Sequence, residues 1–409
     1  MSTDTAKTIL FLDAYYLPET IAFTHLENDL IDGLTERGFS VRIICPVPTR
    51  NVSEAVYQAY KKKKTETDKN GKLTVRRFLA PREGKNPAVR ALRYFWCNLR
   101  TYQLARKSKG IDYVFCNSTP PTQGLIAGRA AKKLHVPMIY SLQDIFPDSL
   151  ATSGLTREGS VSWKIGRWIE NKTYGYARDI AVISNAMKSN VEKKGVPPDK
   201  VHVISNWIDT EQVKPVPREE NALYGTLSLD PKAYTVVYAG NMGSAQGVDV
   251  ILDCAKLLKD EKISFLLFGG GSEYEKIAAR AEREKLSNVR IMPLLPPERT
   301  KEVYSLGDAA LITCKAGFGS SGMPSKTWSI MACGVPIIAA FDRQSEMEKA
   351  LDAAHAGICV DPGDAAAMAK TIRDFRDRGY ETRGRAYVEA YASRHSCVGQ
   401  YVSLFSEKG

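Results

Sequence analysis

The chain has 409 residues, of which 44% are hydrophobic and 25% are charged, and its formal net charge is +11. This composition is that of an ordinary globular protein, and the length predicts two or three domains, of which two is the better fit. No run of the sequence approaches the ~18 apolar residues that cross a bilayer, and residues 1–7 lack the regions of a signal peptide.

The eight cysteines are scattered along the chain, without a C-x-x-C pair and without clustered histidines. This pattern favours buried thiols in a reducing cytosol over disulfides or a zinc site. We therefore expect a cytoplasmic protein with no bound metal and no cofactor.

The first half of the chain alternates apolar strands with amphipathic helices. A helix is predicted over 24–38, and strands are predicted to begin at residue 8 and to lie at 39–48, 111–119, 136–144, 179–184 and 201–206. This rhythm is typical of a parallel sheet with crossover helices. It predicts one doubly wound domain over residues 1–208.

A basic region interrupts this pattern at residues 50–110. It holds seventeen lysines and arginines against four acidic residues, so it carries more positive charge than the net +11 of the whole chain. Such an excess indicates an anionic partner, namely lipid headgroups, nucleic acid or a phosphorylated substrate. Because the sequence contains no recognised nucleic-acid motif, we expect no nucleic-acid binding.

A helix predicted over 86–107 lies within the basic region. One stripe of this helix is apolar, flanked by Arg90, Arg93, Arg100 and Arg106, and consists of Ala88, Ala91, Leu92, Phe95, Trp96, Leu99 and Tyr102. A basic amphipathic helix with aromatic residues can lie in a membrane interface. The alternative is that the stripe packs on the sheet and only the arginines face outward. Either arrangement leaves a basic surface that is suited to peripheral membrane contact.

The second half repeats the alternation after a charged, proline-containing linker at 209–234. A second domain is predicted over 235–390, followed by a helix at 391–409 that packs back toward the N-terminal domain. The predicted fold class is α/β, with two doubly wound Rossmann-like domains whose parallel sheets face a cleft. Ligands of such sheets bind beyond the carboxyl ends of the strands.

Three strands of the second domain end in glycine-containing loops, at 240–243, 269–271 and 317–322. Glycine lets the backbone approach a bulky ligand, and the helices that follow add N–H donors. Three such loops at one sheet edge predict a nucleotide or sugar-diphosphate pocket, although ordinary turns between strands and helices also favour glycine. No intact dinucleotide or ATPase glycine motif is present, and no D-x-D motif, so metal-held diphosphate is not expected.

The loop and helix at 315–336 are the centre of this prediction. Pro324 suits the first helical position and Gly334 suits the helix C-terminus, which predicts a helix at roughly 325–333. Lys326 then falls in the first turn, where the helix dipole disfavours a cation. Its charge is therefore expected to neutralise a bound anion. The alternative is an ordinary joint between a strand and a helix, with a solvated lysine.

Six segments of the chain carry a family resemblance, namely YYLPE near the N-terminus, YSLQDIFPDSL (140–150), the segment 181–212, VVYAGNMGSAQGVDVIL (236–252), the segment 288–312 and GMPSKTWSIMACGVPIIA (322–339). They resemble a retaining glycosyltransferase of family 4 with the GT-B architecture, in the bacterial branch that makes exopolysaccharides, capsules and O-antigens. The resemblance implies sugar transfer from a nucleotide diphosphate donor, UDP being favoured, to a lipid-linked or saccharide acceptor, without a metal.

The resemblance and the glycine loops together give the candidate site residues. The donor candidates are Gly240, Asn241, Gly243, Gln246, Gly270, Leu294, Ser321, Gly322, Met323, Pro324, Ser325, Lys326 and Ser329. The catalytic candidates are Lys326 and Asp144, of which Asp144 would face the acceptor hydroxyl or else serve as a turn or cap residue. The acceptor-facing or membrane-facing candidates are Glu19, Arg90, Arg93, Phe95, Trp96 and Arg100.

The sequence departs from the family pattern at positions that matter for charge. Ser321 and Ser329 stand where many members have two glutamates, and Asn241 and Gln246 stand where many have an arginine and a lysine. These replacements indicate either a subtype or lost activity. They leave Lys326 as the main cation for the leaving diphosphate.

Two other functions remain open at this point. A nucleotide-sugar 2-epimerase of the same fold needs acid and base side chains in the cleft, and of the five histidines only His25 lies near a cleft loop. A non-catalytic nucleotide-sugar-binding subunit is suggested by Ser321 and Ser329.

Overall fold

The computed structural model describes residues 7–19, 23–83, 87–152, 156–318 and 323–406. The chain divides into two compact units, of which the first contains 1–205 with 398–409 and the second contains 206–397. Each unit is built on one sheet, of eight strands in the first and six in the second. The predicted α/β class with two Rossmann-like units is confirmed.

The first unit follows the predicted alternation. Its strands are β1 (Thr8–Leu12), β2 (Ser40–Pro46), β3 (Thr65–Asp68), β4 (Leu73–Phe78), β5 (Tyr113–Asn117), β6 (Met138–Leu142), β7 (Asp179–Val182) and β8 (Val201–Val203). Its helices are α1 (Thr24–Glu36), α2 (Glu54–Lys62), α3 (Pro87–Ala105), α4 (Gln123–Leu134), α5 (Asp148–Thr152), α6 (Val161–Tyr176) and α7 (Asn185–Lys193).

The sheet of the first unit has the order β3-β4-β2-β1-β5-β6-β7-β8. Every described pairing in it is parallel except that of β3, which runs antiparallel to β4. The sequence did not predict this hairpin, whose four-residue loop at 69–72 has positive φ at Lys69, Asn70 and Gly71. A short loop of this kind reverses the chain without a crossover helix.

The second unit has the elements that follow. Its strands are β9 (Tyr234–Asn241), β10 (Ile263–Gly270), β11 (Val289–Pro293), β12 (Ala309–Thr313), β13 (Ile337–Ala340) and β14 (Gly357–Val360). Its helices are α8 (Leu223–Thr226), α9 (Asp249–Leu257), α10 (Tyr274–Arg283), α11 (Thr300–Tyr304), α12 (Lys326–Ala332), α13 (Glu346–Ala354), α14 (Ala365–Arg378) and α15 (Gly384–Tyr391). A last helix, α16 (Arg394–Ser406), contributes its residues from Val398 onward to the first unit.

The parallel strands of the second unit are buried on both faces. Neighbouring residues of one strand enter two different clusters, as Val237 and Tyr238 of β9 do. Helices α11, α12 and α13 cover the first cluster, and α9, α10 and α14 cover the second. Continuous apolar strands of this kind are typical of sheets with helices on both sides.

Helices α4 and α6 of the first unit pack closely together, because α4 has two glycines, one turn apart, on the face that contacts α6. A Cβ at Gly124 would lie 2.4 Å from Cγ2 of Thr173, and a Cβ at Gly128 would lie 2.5 Å from the ring of Tyr176. Interiors packed to this density have no room for an added methyl group. The two glycines therefore set the distance between α4 and α6.

Helix α16 completes the core of the first unit with aromatic residues. Phe405 and Tyr401 lie with their ring centroids 6.1 Å from that of Phe115 on β5. The hydroxyls of Tyr401 and Ser141 are hydrogen-bonded at 2.9 Å. Tyr401 and Phe405 of α16 are thus part of the first unit's core.

Gly128→Ala tests the close contact between α4 and α6. The added methyl group would meet the Tyr176 ring, so we expect the free energy of unfolding to fall by about 1–3 kcal/mol. Gly175→Ala is the matched control, because a Cβ at this helical position meets nothing within 4 Å. It should leave stability unchanged or raise it by up to about 1 kcal/mol. Equal effects of the two changes in urea denaturation would contradict the packing.

Candidate functional site

The second unit reverses its order of strand addition at one place in the sheet. Strand β9 is followed outward by β10 and β11 on one side and has β12, β13 and β14 on the other. The loops after β9 and β12 both start at the carboxyl edge of the sheet and lead to opposite faces of it. This divergence opens a crevice beyond the ends of the two strands. This crevice is the first candidate for a ligand site.

The loop after β9 is folded around the side chain of Gln246. Its oxygen accepts hydrogen bonds from the backbone N–H of Gly243 (3.1 Å) and from Nδ2 of Asn241 (3.3 Å). A Cβ at position 243 would lie 2.8 Å from this oxygen, which explains the glycine. Three of the predicted donor residues are therefore held in one compact loop.

Lys326 begins α12 and places its ammonium beside this loop. Its Nζ atom is buried, and among the described residues no atom accepts a hydrogen bond from it. Burial lowers the pKa of Lys326 to about 8, because the charged form loses hydration. Gly240 has φ 150°, and a Cβ there would lie 2.7 Å from Nζ. Glycine at 240 therefore makes room for the ammonium.

Tyr238 is a member of the site that the sequence did not predict. Nζ of Lys326 lies 4.2 Å from the centroid of its ring, a distance at which the ring attracts a cation. Its hydroxyl donates a hydrogen bond to the carbonyl oxygen of Asn241 (2.6 Å), which ties the ring to the loop after β9. The only sequence signal was a tyrosine two residues before Gly240 on the same strand.

The loop after β10 packs against the loop after β9. Asn241 occupies the space beside Gly271, whose Cβ would lie 2.2 Å from Oδ1 of Asn241 and whose φ is 128°. Gly270 differs, because a Cβ there would meet nothing within 4 Å. The backbone at Gly270 is therefore open on its Cβ side.

Leu294 follows β11 and is half exposed. Its backbone N–H donates to the carbonyl oxygen of Gly269 (3.1 Å). The predicted backbone contact with a nucleotide base must therefore use the Leu294 carbonyl group, since its N–H already has a partner.

The segment after β12 is described only in part. Ser321 and Gly322, two predicted donor residues, lie outside the described residues. The backbone N–H of Lys315 donates to the carbonyl oxygen of Ala245 (2.9 Å), so the loops after β12 and β9 are joined. The Asp342 carboxylate accepts from the N–H of Gly317 (2.9 Å), a contact that the sequence did not predict.

The described part of this segment resumes before α12. Met323 and Pro324 are partly buried and Ser325 is exposed. The helix begins at Lys326, one residue later than predicted, so Pro324 precedes the helix instead of occupying its first position. Ser329 lies partly buried on the helix. Gly334 ends the helix with φ 68°, as predicted.

Asp144 lies in the first unit beyond the carboxyl end of β6. Its side chain is exposed, and its backbone N–H donates to Oγ of Ser118 (3.3 Å). Ser118 follows β5, the strand next to β6, and also accepts from the N–H of Gln143 (3.0 Å). The carboxylate therefore stands on a loop that a neighbouring strand end supports.

Glu19 and Arg93 do not face outward as predicted. Glu19 is fully buried and accepts hydrogen bonds from the backbone N–H groups of Thr49 (2.6 Å) and Arg50 (2.7 Å). Arg93 is 1% exposed and donates to the carbonyl oxygen of Pro81. Both side chains satisfy backbone groups inside the first unit, which is the physical reason for the correction.

The apolar row of α3 faces outward instead of packing on the sheet. Phe95 is 67% exposed and Leu92 is 62% exposed, while Trp96 and Leu99 are also exposed. The opposite face, with the small side chains of Cys97, Thr101 and Ala105, is buried together with Arg93. Arg90 is exposed and Arg100 is partly buried.

Helix α6 exposes a second apolar row, which the sequence did not predict. Val161, Ile165 and Trp168 are exposed at i, i+4 and i+7 spacing, and the exposed Lys164 and Lys172 share this stripe. Of the fifteen large hydrophobic side chains exposed in the described residues, eight lie on α3 and α6. The exposed apolar surface is thus concentrated on these two helices.

A buried pair of carboxyl groups lies at the carboxyl end of β1. Asp13 and Glu27 are both buried and within hydrogen-bonding reach of each other. Burial raises the pKa of Asp13 to about 7 and also raises the pKa of Glu27. Nδ2 of Asn117 donates weakly to Asp13 (3.4 Å). Such a pair shares a proton, since two buried like charges in contact are strongly unfavourable.

Among the described residues, no group of three or more His, Cys, Asp or Glu side chains is placed to hold a metal ion. Within the same ranges, no helix has both the length and the apolar character that crossing a bilayer requires.

The class of this protein follows from its match to two glycosyltransferase families. The chain matches the family Glycosyltransferase Family 4 over residues 28–212 and the family Glycosyl transferases group 1 over residues 233–377. It therefore belongs to the glycosyltransferases that combine these two domains.

Individual relatives agree with this assignment. WbjE of Pseudomonas aeruginosa, named a glycosyltransferase, is 26% identical over 80% of this chain and 81% of its own length. WcaI of Escherichia coli K12, named as a colanic acid biosynthesis glycosyl transferase, is 22% identical over 97% and 98%. The structure of Anabaena HepE in complex with UDP has a TM-score of 0.71 at 16% identity, over 98% of this chain and 99% of that one. The sucrose-phosphate synthase of Thermosynechococcus elongatus has a TM-score of 0.72 at 14% identity, over 98% of both chains.

Asp13→Asn tests the proton shared by Asp13 and Glu27. Between pH 4 and 7 the unfolded Asp13 is ionised while the folded one holds its proton, so the wild-type protein loses stability as pH rises through this window. The uncharged amide removes this loss. We expect the wild-type free energy of unfolding to fall by at least about 1 kcal/mol more than that of the variant between pH 5 and pH 8. Glu27→Gln should flatten the profile likewise, and parallel profiles of wild type and variants in urea denaturation would refute the shared proton.

Proposed function

We propose that this protein is a retaining glycosyltransferase that transfers a sugar from a UDP-sugar to a lipid-linked or saccharide acceptor in bacterial cell-surface polysaccharide biosynthesis. The observation that carries the proposal is the buried Lys326 ammonium, which has no acceptor among the described residues and lies beside Gly240 in the crevice of the second unit.

A buried cation without an acceptor favours the binding of an anion. Taking an ammonium group out of water costs several kcal/mol, and a phosphate oxygen returns both a counter-charge and a hydrogen bond. The loop after β9 offers the backbone at Gly240 and the amide groups of Asn241 and Gln246 at the same place. These groups suit the diphosphate of a nucleotide-sugar.

On the donor side of the transfer, the protein needs only to stabilise the negative charge of the departing diphosphate. The bond from the anomeric carbon to the diphosphate oxygen breaks, and the bond from this carbon to the acceptor oxygen forms on the same face of the sugar. The acceptor proton passes to the departing diphosphate. Lys326 stabilises the charge that develops there, which is the electrostatic role that enzymes assign to fixed cations.

Two similar proteins support UDP as the nucleotide of the donor and polysaccharide biosynthesis as the pathway. HepE was determined with UDP bound, and WcaI is named for colanic acid biosynthesis. In this chain Leu294 would offer its carbonyl group to the base. Ser329 stands where many relatives have a glutamate, so the sugar would be held with less negative charge than in those relatives.

The acceptor is proposed to bind to the first unit. Asp144 is exposed beyond β6, where its carboxylate could accept a hydrogen bond from a sugar hydroxyl and so orient the acceptor. The outward apolar rows of α3 and α6 and the exposed Arg90 suit an interface of lipid headgroups, as in other amphipathic helices that lie on membranes. A lipid-linked acceptor would be presented at such an interface.

Lys326→Met tests the donor site. The thioether keeps the apolar contact with Tyr238 but removes the charge, so we expect UDP affinity to fall about 100-fold, or roughly 2–3 kcal/mol, in calorimetry. Stability should stay equal or rise, because no unpaired ammonium remains buried. Lys262→Met is the control, since this exposed lysine precedes β10 at the opposite sheet edge. Equal UDP affinities of the two variants would remove Lys326 from the donor site.

Nucleotide release from a panel of sugar nucleotides tests the activity itself. We expect UDP release that depends on an added membrane extract as the source of acceptor. Turnover without acceptor would favour a nucleotide-sugar 2-epimerase or hydrolase instead. Binding of UDP-sugars without any turnover would favour a non-catalytic subunit.

A further inference from the structure

A cavity of about 560 Å³ lies in the first unit beside α3. Strand ends form one wall, with Val47 after β2 and Phe78 and Leu79 at the end of β4, and Trp96 and Leu104 of α3 form another. Its volume is within the range of small-ligand sites. None of its lining residues belongs to the proposed donor site.

The charge of this cavity is entirely positive. Five cations and no carboxylate line it among the described residues, and the cations are Lys61, Lys64, Arg76, Arg77 and Arg100. A concave surface lined by one sign of charge concentrates the field and attracts ions of the opposite sign. The cavity therefore selects an anion.

Arg77 holds the cavity floor in place. It is buried, and it donates to Oε1 of Glu66 (2.8 Å) and to the carbonyl oxygen of Leu17 (2.6 Å). Because its charge is matched by Glu66, Arg77 has a structural role. Lys61, Lys64 and Arg76 are exposed, so they are able to reach a ligand.

The rim of the cavity joins the apolar row of α3. Nε1 of Trp96 donates to the carbonyl oxygen of Leu79 (2.9 Å), which fixes the indole at the rim. Leu92, Phe95 and Leu99 continue from Trp96 along the exposed face. An anion site that opens onto exposed apolar side chains matches the two halves of a lipid, a charged headgroup and an acyl chain.

We propose that this cavity binds the phosphate-bearing headgroup of an anionic membrane lipid while the apolar row of α3 enters the acyl boundary. The inference rests on the proposed membrane contact of α3 and adds a specific headgroup site to it. A free phosphate ion would use the same cations but would gain nothing from the apolar rim.

The test is vesicle co-sedimentation with phosphatidylcholine vesicles that contain or lack phosphatidylglycerol. Lys64→Gln with Arg76→Gln removes two charges from the cavity, and Lys132→Gln with Lys133→Gln is the matched control. These two lysines are exposed at the end of α4, which topology places at the amino edge of the sheet. We expect the cavity variant to lose at least about tenfold in binding to phosphatidylglycerol vesicles and the control less than about threefold. Equal losses, or no loss in the cavity variant, would overturn the headgroup site.

Two additional arms identify the ligand and separate this site from the donor site. Leu92→Ser with Phe95→Ser should also weaken vesicle binding, whereas inorganic phosphate should bind the wild-type cavity far more weakly than vesicles do. Phosphate binding as tight as vesicle binding would overturn the lipid assignment, and so would a wild-type dimer in light scattering that the serine variant abolishes.

UDP affinity without vesicles should be the same in the wild type and the cavity variant. If the wild-type protein bound UDP but did not bind phosphatidylglycerol vesicles, the headgroup site would be rejected and the proposed donor site would be unaffected.

Discussion

The chemistry of the second unit depends on one uncompensated charge. The Lys326 ammonium lies against the ring of Tyr238, its Nζ is buried, and no described residue accepts a hydrogen bond from it. Dehydrating a cation costs several kcal/mol, while an aromatic ring returns about 0.5–2 kcal/mol. The difference lowers the pKa of Lys326 to about 8 and makes the free protein favour an anionic ligand. The proposed diphosphate site follows from this imbalance.

The surrounding backbone keeps the space for such a ligand. Gly240 and Gly271 both have positive φ, and side chains there would collide with Lys326 and with Asn241. Gln246 fixes the loop after β9 with two hydrogen bonds. The described part of the site is therefore held in place by contacts within the second unit, which reduces the ordering that binding requires.

The sequence predicted the features that local chemistry determines. Strand periodicity, the glycines that end β9 and β10, and the helix end at Gly334 depend on a few neighbouring residues. The contact between Tyr238 on β9 and Lys326 on α12 joins two elements that are distant in the sequence, so it was not predictable from spacing. The orientation of α3 was also open, because the stripe with Phe95 and the stripe with Arg93 both have helical spacing. Burial of Arg93 was decided by the carbonyl group of Pro81, a tertiary partner.

Proton uptake on UDP binding tests the role of Lys326 most directly. At pH 8.5 most of the free protein would carry a neutral Lys326, and a bound diphosphate would restore its charge. Calorimetry of UDP binding in buffers of different ionisation enthalpy should then report uptake of more than about half a proton per UDP. The Lys326→Met variant should show none of this uptake at the same pH. Tight UDP binding by the wild-type protein without proton uptake would contradict the account.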